Sequence, residues 1–266
     1  MKSQPSTLTE EAFSCSRLYV EYSTRGRVMR VLEDVSFTCR QGEFTSIVGP
    51  SGTGKTTLLR ILAGLLDAGR GSSVRFEGRD ISGPAPGVAL VFQNYTASLL
   101  QWRTVERNVA LGLEGVVSKS ERSTRVAEAL ELVGLSDRRT DYPWQLSGGM
   151  QQRVQIARAL VTRPKVLLMD EPFGALDAMT KSQLQDELLK VHRVTGATVV
   201  FVTHDIDEAV YLSDRVFVLA GSPARFDAEL SIDLPRPRSQ IATKESPEYL
   251  AARHAVYTAL RSVPEQ

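Results

Sequence analysis

The chain has 266 residues, the size of one large domain or of one domain with a sub-lobe. Its 32 Lys and Arg residues nearly balance its 31 Asp and Glu residues, which leaves a net charge of +1. Such a balance argues against a protein that coats nucleic acid or anionic lipid. No run of about 18 apolar residues occurs, so no segment is predicted to span a bilayer. The polar N-terminus is not predicted to be a secretory signal.

The two cysteines, Cys15 and Cys39, are not part of a CxxC pattern. Isolated thiols of this kind are typical of a reducing compartment, so the chain is expected in the cytosol. We predict that both are small buried hydrophobic residues rather than metal ligands or a disulfide.

The first half of the chain changes its pattern along its length. Residues 1–12 are polar and are predicted to form a flexible tail. Short apolar runs between 17 and 48 predict antiparallel strands. From about residue 94 to residue 160, apolar residues recur at spacings of three and four, which is typical of helices. We therefore predict a helical sub-lobe, about 94–160, inserted into the main body.

Strands and helices alternate in the second half. The runs Val166–Met169 and Thr198–Val202 are continuously apolar, as expected for strands covered on both faces. Helices are predicted at about 179–194 and 207–212, and a further strand at Arg215–Leu219. This alternation predicts a parallel sheet with right-handed crossovers.

The pattern also predicts where the domain ends. The main domain is expected to span 13–220. A short C-terminal extension, 221–266, contains several prolines and is predicted to end in a helix near 247–262.

A glycine-rich loop lies between a predicted strand and a predicted helix. The residues from Gly49 to Thr56, GPSGTGKT, match the pattern GxxxxGK[ST] in full. Glycines allow the backbone to wrap, so that successive N–H groups point at an anion, and the following helix adds its positive N-terminal end. Lys55 is predicted to reach the β- and γ-phosphates of a nucleotide, and the Thr56 hydroxyl to bind Mg²⁺.

Polar residues follow three other predicted strands. Asp170 and Glu171 come directly after Val166–Met169, and Gln93 and His204 each follow an apolar run. Ligands of open α/β sheets lie beyond the carboxyl ends of the strands, so these side chains are predicted to face one crevice. There Asp170 would hold Mg²⁺ through water, and Glu171 would polarise an attacking water. For Asp170 and Glu171 alone, the alternative is a solvated acidic turn. For His204 alone, the alternative is a structural histidine.

The segment Leu146–Gln151, LSGGMQ, resembles the signature motif of ABC ATPases. With the motifs above, the chain resembles ABC transporter ATPases over residues 17–220. The resemblance implies an α/β fold of the P-loop NTPase type, with a mostly parallel central sheet, an N-terminal antiparallel β sub-lobe and an inserted α-helical sub-lobe. It also implies an ATP hydrolase coupled to transmembrane transport, which binds ATP and Mg²⁺.

The resemblance carries site roles onto individual positions of this sequence. The implied catalytic residues are Glu171, His204 and Lys55. The implied metal ligands are Thr56, Gln93 and Asp170. Tyr22 is placed to stack on adenine, with Tyr19 as the alternative. The other implied nucleotide-binding residues belong to the glycine-rich loop, the Q-loop, the signature and the D-loop, and are Gly49, Pro50, Ser51, Gly52, Thr53, Gly54, Lys55, Thr56, Thr57, Gln93, Ser147, Gly148, Gly149, Gln151 and Asp177.

The signature has its own physical interpretation. Ser147 is predicted to cap the helix that follows, while Gly148 and Gly149 leave backbone N–H groups bare at its N-terminus. One chain would thus carry two phosphate-binding helix starts. In the family these meet across a head-to-tail dimer with two ATP sites, so the resemblance implies a second copy of this chain as partner.

The resemblance further implies partners in the membrane. Integral membrane permease subunits are expected, with a solute-binding protein acting indirectly and no nucleic acid. In the family the helical sub-lobe grips a helix of the membrane subunit, so Trp102 belongs either to that docking surface or to the core. The expected location is peripheral, at the cytoplasmic face of the cell inner membrane.

The segment Phe92–Leu113 looks like the importers of nitrate, sulfonate, taurine and related compounds, as does the tail with LPRPR at 234–238. Gln101 stands where that subfamily commonly has a proline, and residues 221–226 lack its usual proline-glycine turn. The alternatives are the ATPase of a lipid-handling or export ABC system and a soluble ABC ATPase without a transport role. A P-loop kinase is disfavoured by the signature.

Overall fold

The structure is a computed structural model that describes residues 11–24 and 27–261. This part of the chain forms one ten-stranded sheet with helices around it. The strands are β1 (Glu11–Thr24), β2 (Arg27–Arg40), β3 (Phe44–Val48), β4 (Ser73–Phe76), β5 (Arg79–Asp80), β6 (Val88–Val91), β7 (Val166–Asp170), β8 (Thr198–Thr203), β9 (Arg215–Gly221) and β10 (Ala224–Ser231).

The helices connect these strands. They are α1 (Lys55–Leu62), α2 (Tyr95–Ser98), α3 (Val105–Val109), α4 (Lys119–Leu132), α5 (Gly148–Leu160), α6 (Ala178–Thr195), α7 (Ile206–Leu212) and α8 (Pro247–Arg261). Short 3₁₀ turns lie at Ala110–Leu113, Ser136–Arg138 and Pro143–Gln145.

The sheet has a parallel half and an antiparallel half. Its strand order is β5-β4-β1-β2-β10-β9-β3-β8-β7-β6. Strands β9, β3, β8, β7 and β6 are parallel neighbours, whereas β1, β2, β4 and β5 pair antiparallel. In β7, Leu167 and Met169 join one core cluster and Val166 and Leu168 join the other. The parallel strands are therefore covered on both faces, as their continuous apolar runs predict.

Every regular element that the structure describes between β6 and β7 is helical. Val126 and Leu130 of α4 share a core cluster with Val154 and Ala157 of α5. The predicted fold class is confirmed: a mostly parallel central sheet, an N-terminal antiparallel β sub-lobe and an inserted helical sub-lobe.

Strand β10 was not predicted. It pairs antiparallel with β9 and touches β2, so the first residues of the predicted C-terminal extension lie inside the main sheet. The signal was present, because apolar residues alternate with polar ones from Ala224 to Leu230. The prolines on either side of this segment led to its interpretation as a tail.

The predicted domain boundaries stay a prediction. Of the tail predicted at 1–12, residues 1–10 lie outside the described residues, whereas Glu11 and Ala12 begin β1 and Ala12 is buried. The last predicted helix is present as α8, whose Tyr249 and Val256 are buried in the core.

Both cysteines are free and buried, as predicted. Burial raises the pKa of Cys39 to about 12 and also raises the pKa of Cys15, so neither thiol is reactive at neutral pH. Among the described residues, no helix combines the length and the apolar character that crossing a membrane requires.

Candidate functional site

The glycine-rich loop joins the buried strand β3 to α1. Gly54 is the N-cap residue of α1 with a φ of 93°, a left-handed conformation that favours glycine, and no side chain caps this helix. The amides of its first turn therefore stay available to an anion. Gly49 is required for a different reason, because a Cβ there would lie 2.2 Å from the carbonyl oxygen of Leu219.

Lys55 is held inside this loop. Its Nζ donates to the carbonyl oxygens of Gly49 at 2.8 Å and of Pro50 at 2.9 Å, and the residue is only 5% exposed. Burial lowers the pKa of Lys55, and the Glu171 carboxylate acts in the opposite direction. An ammonium group that binds two carbonyl oxygens can exchange them for phosphate oxygens, which accept more strongly.

Three predicted site residues converge on the carboxylate of Glu171. Its Oε2 accepts a hydrogen bond from Gln93 Nε2 at 3.3 Å and lies 2.9 Å from His204 Nδ1. Its Oε1 lies 3.5 Å from Lys55 Nζ. The φ of Glu171 is 41°, in the left-handed region that a glutamate rarely adopts. Such strain persists where the surrounding structure enforces it, commonly at functional sites.

Thr56 and Asp170 form a second pair in the same crevice. Thr56 Oγ1 donates to Asp170 Oδ1 at 3.1 Å. Burial raises the pKa of Asp170, although the hydrogen bond from Thr56 acts in the opposite direction. Mg²⁺ prefers oxygen ligands and commonly takes one or two from the protein, with phosphate and water completing the shell. A hydroxyl beside a buried carboxylate fits such an ion.

The other predicted metal ligand, Gln93, faces Glu171 with its amide nitrogen, so its contact with a metal stays a prediction. In the rest of the loop, Thr53 Oγ1 donates to the Pro50 carbonyl oxygen at 2.9 Å, which closes the turn that holds Ser51 and Gly52. Thr57 follows on α1.

The signature residues begin α5, in the helical sub-lobe rather than on the parallel sheet. Ser147 caps this helix as predicted, since its Oγ accepts from Met150 N at 3.3 Å. A Cβ at Gly148 would lie 2.8 Å from the Tyr95 hydroxyl, and one at Gly149 would lie 2.5 Å from a Thr180 methyl. The two glycines therefore also permit close packing, a role that the sequence pattern does not reveal.

Gln151, Asp177 and Tyr22 make contacts of their own. Gln151 Nε2 donates to the carbonyl oxygens of Pro143 at 2.9 Å and of Leu146 at 3.2 Å. Asp177 caps α6, and its hydrogen bonds with Thr180 lower its pKa. Their nucleotide contacts stay predictions.

Tyr22 is half-buried on β1 and packs against the second core cluster. Tyr19 donates its hydroxyl hydrogen to Glu21 Oε2 at 2.6 Å, and the Arg30 guanidinium lies 5.8 Å from its ring centre. The choice between the two tyrosines as the adenine-stacking residue stays a prediction.

Sequence reasoning missed two residues of α5 that hold the segment after Gln93. Gln155 Nε2 donates to the Phe92 carbonyl oxygen at 2.9 Å and to Ser98 Oγ at 3.0 Å, and Arg158 donates to the Ser98 carbonyl oxygen. Burial lowers the pKa of Arg158. The available signal was a pair of polar residues, three apart, beside the apolar face of a predicted helix.

The sequence is similar to those of known proteins. The sequence model of the family described as ABC transporter matches residues 32–174. The nitrate import ATP-binding protein NrtC of Synechococcus elongatus is 47% identical over 234 residues, which cover 86% of this chain and 35% of NrtC. The nitrate import ATP-binding protein NrtD of the same organism is 46% identical over 226 residues, which cover 84% of this chain and 81% of NrtD.

A solved structure is similar over most of its length. The dimeric post-hydrolysis state of the ATP-binding cassette MJ0796, bound to ADP and Pi, matches with a TM-score of 0.72 at 32% identity and covers 83% of this chain and 98% of that one. The present chain thus corresponds to about one cassette, and it spans 35% of the length of NrtC.

The family match covers more than half of the chain and includes the glycine-rich loop, Gln93, the signature and the acidic pair. The fold places the loop, Gln93 and the acidic pair at one rim of the parallel sheet, with His204 beside them. The chain therefore belongs to the ABC transporter family, as an ATP-hydrolysing cassette.

Proposed function

We propose that this chain is the ATP-hydrolysing subunit of an ABC importer and powers uptake of a small solute of the nitrate, sulfonate or taurine type through separate permease subunits. The catalytic part of this proposal rests on one observation, which is the contact of the Glu171 carboxylate with Lys55, Gln93 and His204. These contacts bring a carboxylate, a cation and an imidazole together, which supports the proposal that a γ-phosphate meets water beside them.

In the proposed mechanism Glu171 orients the attacking water and accepts its proton. His204, whose side chain is 54% exposed, contacts the same water and the γ-phosphate. Lys55 stabilises the charge that develops on the phosphate oxygens. Gln93 transmits the occupancy of the site to the helical sub-lobe, because Gln155 and Arg158 of α5 bind Ser98 in the segment that follows it.

Thr56 and Asp170 are the residues proposed to hold Mg²⁺. When bound, the ion neutralises negative charge on the β- and γ-phosphate oxygens. Asp170 is buried beside Thr56, and a dication would compensate a carboxylate whose ionisation burial disfavours.

Two copies are proposed to share their ATP molecules. Ser147, Gly148 and Gly149 of one copy would contact the γ-phosphate that the glycine-rich loop of the other copy holds. The helix that they begin has 13 residues, so its amides present an anion site with a full dipole behind it. The dimeric state of the related cassette MJ0796 supports this pairing.

The test is Glu171→Gln in purified protein. ATP binding should persist, because the amide keeps the shape of the site, whereas kcat should fall about 10²–10⁴-fold because the base is lost. With MgATP the variant should accumulate as a dimer in size-exclusion chromatography. Glu131→Gln, at an exposed position on α4, is the matched control and should hydrolyse ATP at the wild-type rate. Unchanged hydrolysis by Glu171→Gln would remove Glu171 from this role.

A permease is the proposed membrane partner, and an aromatic surface supports it. We define this surface as Trp102, Tyr142 and Trp144, which are 74%, 37% and 68% exposed. The rings of Tyr142 and Trp144 stack with their centres 6.0 Å apart. A backbone hydrogen bond of 2.8 Å from Val105 N to the Asp141 carbonyl oxygen joins the two segments that carry the surface. Exposed aromatic clusters of this kind are typical of docking sites.

The proposed cargo class rests on the segment Phe92–Leu113 and on the similarity to the nitrate import ATP-binding proteins NrtC and NrtD. A peripheral position at the cytoplasmic face of the inner membrane and an indirect role for a solute-binding protein follow from this proposal. Co-purification with a multi-span permease, followed by solute uptake in vesicles, tests it. Efflux or lipid movement instead of uptake would favour the export or lipid-handling alternative.

A further inference from the structure

His204 lies in a short turn whose geometry is set by its neighbours. Thr203 Oγ1 donates to Glu208 Oε2 at 2.6 Å and accepts from Asp205 N at 3.0 Å. Asp205 Oδ1 in turn caps α7 by accepting from Asp207 N at 2.9 Å and Glu208 N at 3.2 Å. The backbone on both sides of His204 is therefore fixed, while its ring points out toward Glu171.

One cation from another element holds both carboxylates of this turn. Lys181 Nζ, on α6, lies 3.1 Å from Asp205 Oδ2 and 3.0 Å from Glu208 Oε1. Glu208 is 3% exposed, so its carboxylate has little access to water. Removing the lysine would leave the buried Glu208 carboxylate without a counter-charge. Among the described residues, it would also remove the only ion pairs between this turn and α6.

The same lysine belongs to the first turn of α6. Its backbone N–H donates to the Asp177 carbonyl oxygen at 2.9 Å, and Asp177 is the N-cap of α6. The path from Asp177 to His204 thus consists of the first turn of α6, the Lys181 ammonium group and the carboxylates of Asp205 and Glu208. All of its links are hydrogen bonds or ion pairs of 3.2 Å or less.

The two carboxylates determine the charge of Lys181. Burial alone would lower the pKa of Lys181, but Glu208 and Asp205 outweigh it and the pKa is raised. Burial raises the pKa of Glu208, with Thr203 and Lys181 opposing, whereas the hydrogen bond from Lys181 brings the pKa of Asp205 below its usual range despite burial. Lys181 is therefore charged at neutral pH.

We infer that Lys181 is a positioning residue that ties the first turn of α6 to the turn of His204 and so keeps His204 aligned with Glu171. The inference rests on the proposed function, because it assigns an effect on ATP hydrolysis to this link. Lys181 touches neither nucleotide nor water in this role. It acts only through the turn at Asp205 and Glu208.

The test compares Lys181→Met, Lys181→Arg and Lys190→Met. Lys190 is an exposed lysine on the same helix and supplies the matched control. Lys181→Met should lower kcat about 10- to 100-fold with the Kd for ATP unchanged, because misplacement of a catalytic group costs rate rather than ground-state binding. Lys181→Arg keeps the charge and should restore most of the rate, and Lys190→Met should match wild type.

A second readout reports on His204 itself. The chain has three histidines, so their ring signals can be separated by NMR, and His204→Gln assigns the one of interest. In Lys181→Met the His204 ring signals should shift, while those of His192, which contacts Phe44 and the Gly42 carbonyl oxygen near the other end of α6, stay in place. Should the Met variant not fold, Lys181→Gln takes its place in both measurements.

A folded Lys181→Met or Lys181→Gln with wild-type kcat and unshifted His204 signals would overturn the inference, even if its thermal stability fell. The same holds if the Arg variant fails to restore the rate. If instead the wild-type protein does not hydrolyse ATP, the proposed function fails, and the His204 signals still decide whether Lys181 positions that ring.

Discussion

The three histidines of this chain lie in different environments, and burial separates them. His204 and His254 are exposed, whereas His192 is half-buried on α6. The ring of His192 meets the ring of Phe44 edge-on, 5.4 Å between centres, and its Nε2 lies 3.0 Å from the Gly42 carbonyl oxygen. Burial lowers the pKa of His192, and the positive charge of Arg236 lowers it further.

This shift predicts a loss of stability on the acid side. The folded state keeps the His192 ring neutral, whereas the ring has its ordinary pKa of 6.5 in the unfolded chain. The unfolded chain therefore takes up a proton first as the pH falls below 6.5. Stability should therefore decrease from pH 6.5 downward, until the folded ring is also protonated, by at most about 1.4 kcal/mol per pH unit from this group. Urea unfolding at several pH values measures it.

His192→Gln should flatten this pH dependence because it removes the titrating ring. His254→Gln, at an exposed position on α8, is the control and should keep the wild-type slope. Identical slopes for wild type and His192→Gln would show that other groups cause the acid sensitivity.

At the scale of elements, one buried asparagine organises the connection between α2 and α3. Asn108 is fully buried; its Oδ1 accepts from Leu100 N at 2.9 Å, and its Nδ2 donates to the carbonyl oxygens of Leu100, Arg103 and Thr104 at 3.0 to 3.1 Å. The segment that carries Trp102 is thus fixed by a side chain from the next helix. No sequence motif marks this residue, because its partners are carbonyl and amide groups of the main chain.

Asn108→Ala should destabilise the protein by about 2–3 kcal/mol, because it removes four hydrogen bonds at once and leaves the Leu100 amide without its side-chain partner. Asn94→Ala removes only the exposed cap of the short helix α2, whose Oδ1 accepts from Ala97 N at 2.9 Å, and should cost about 1 kcal/mol or less. Chemical denaturation of both variants gives the comparison. An equal cost for the two would contradict the role assigned to Asn108.

At the scale of the whole molecule, the helical sub-lobe displays the aromatic surface, while the candidate functional site lies at one rim of the parallel sheet. The two are joined through α5, which begins at the signature and binds the segment after Gln93 with Gln155 and Arg158. A movement of this helix would therefore reach the nucleotide site and the aromatic surface together.

The aromatic surface gives a prediction for coupling. Trp102→Ala with Trp144→Ala should leave the ATPase rate of the isolated subunit near wild type, because both side chains are largely exposed. The same pair should abolish most of the binding to the permease, since exposed aromatic anchors contribute about 2 kcal/mol or more each at interfaces. Pull-down and ATPase stimulation with the permease in nanodiscs measure it. Met179→Ala, another strongly exposed residue, is the control, and full binding by the double variant would contradict the docking role.

The sequence by itself determined the motifs, their order and the fold class. A glycine-rich loop, its following helix and an acidic pair after an apolar strand are contiguous in the chain, and their backbone needs can be read from neighbouring residues. The family resemblance and the roles proposed for Lys55, Thr56, Asp170 and Glu171 follow from such local patterns.

Tertiary structure decided what lies far apart in the chain. The convergence of Lys55, Gln93 and His204 on Glu171 and the hold of Lys181 on the turn of His204 join residues from different elements. The exposure of Trp102 likewise depends on how the sub-lobe packs. Contacts of this kind leave no periodic pattern in the sequence, because a side chain's partner is set by the packing of whole elements rather than by its neighbours in the chain.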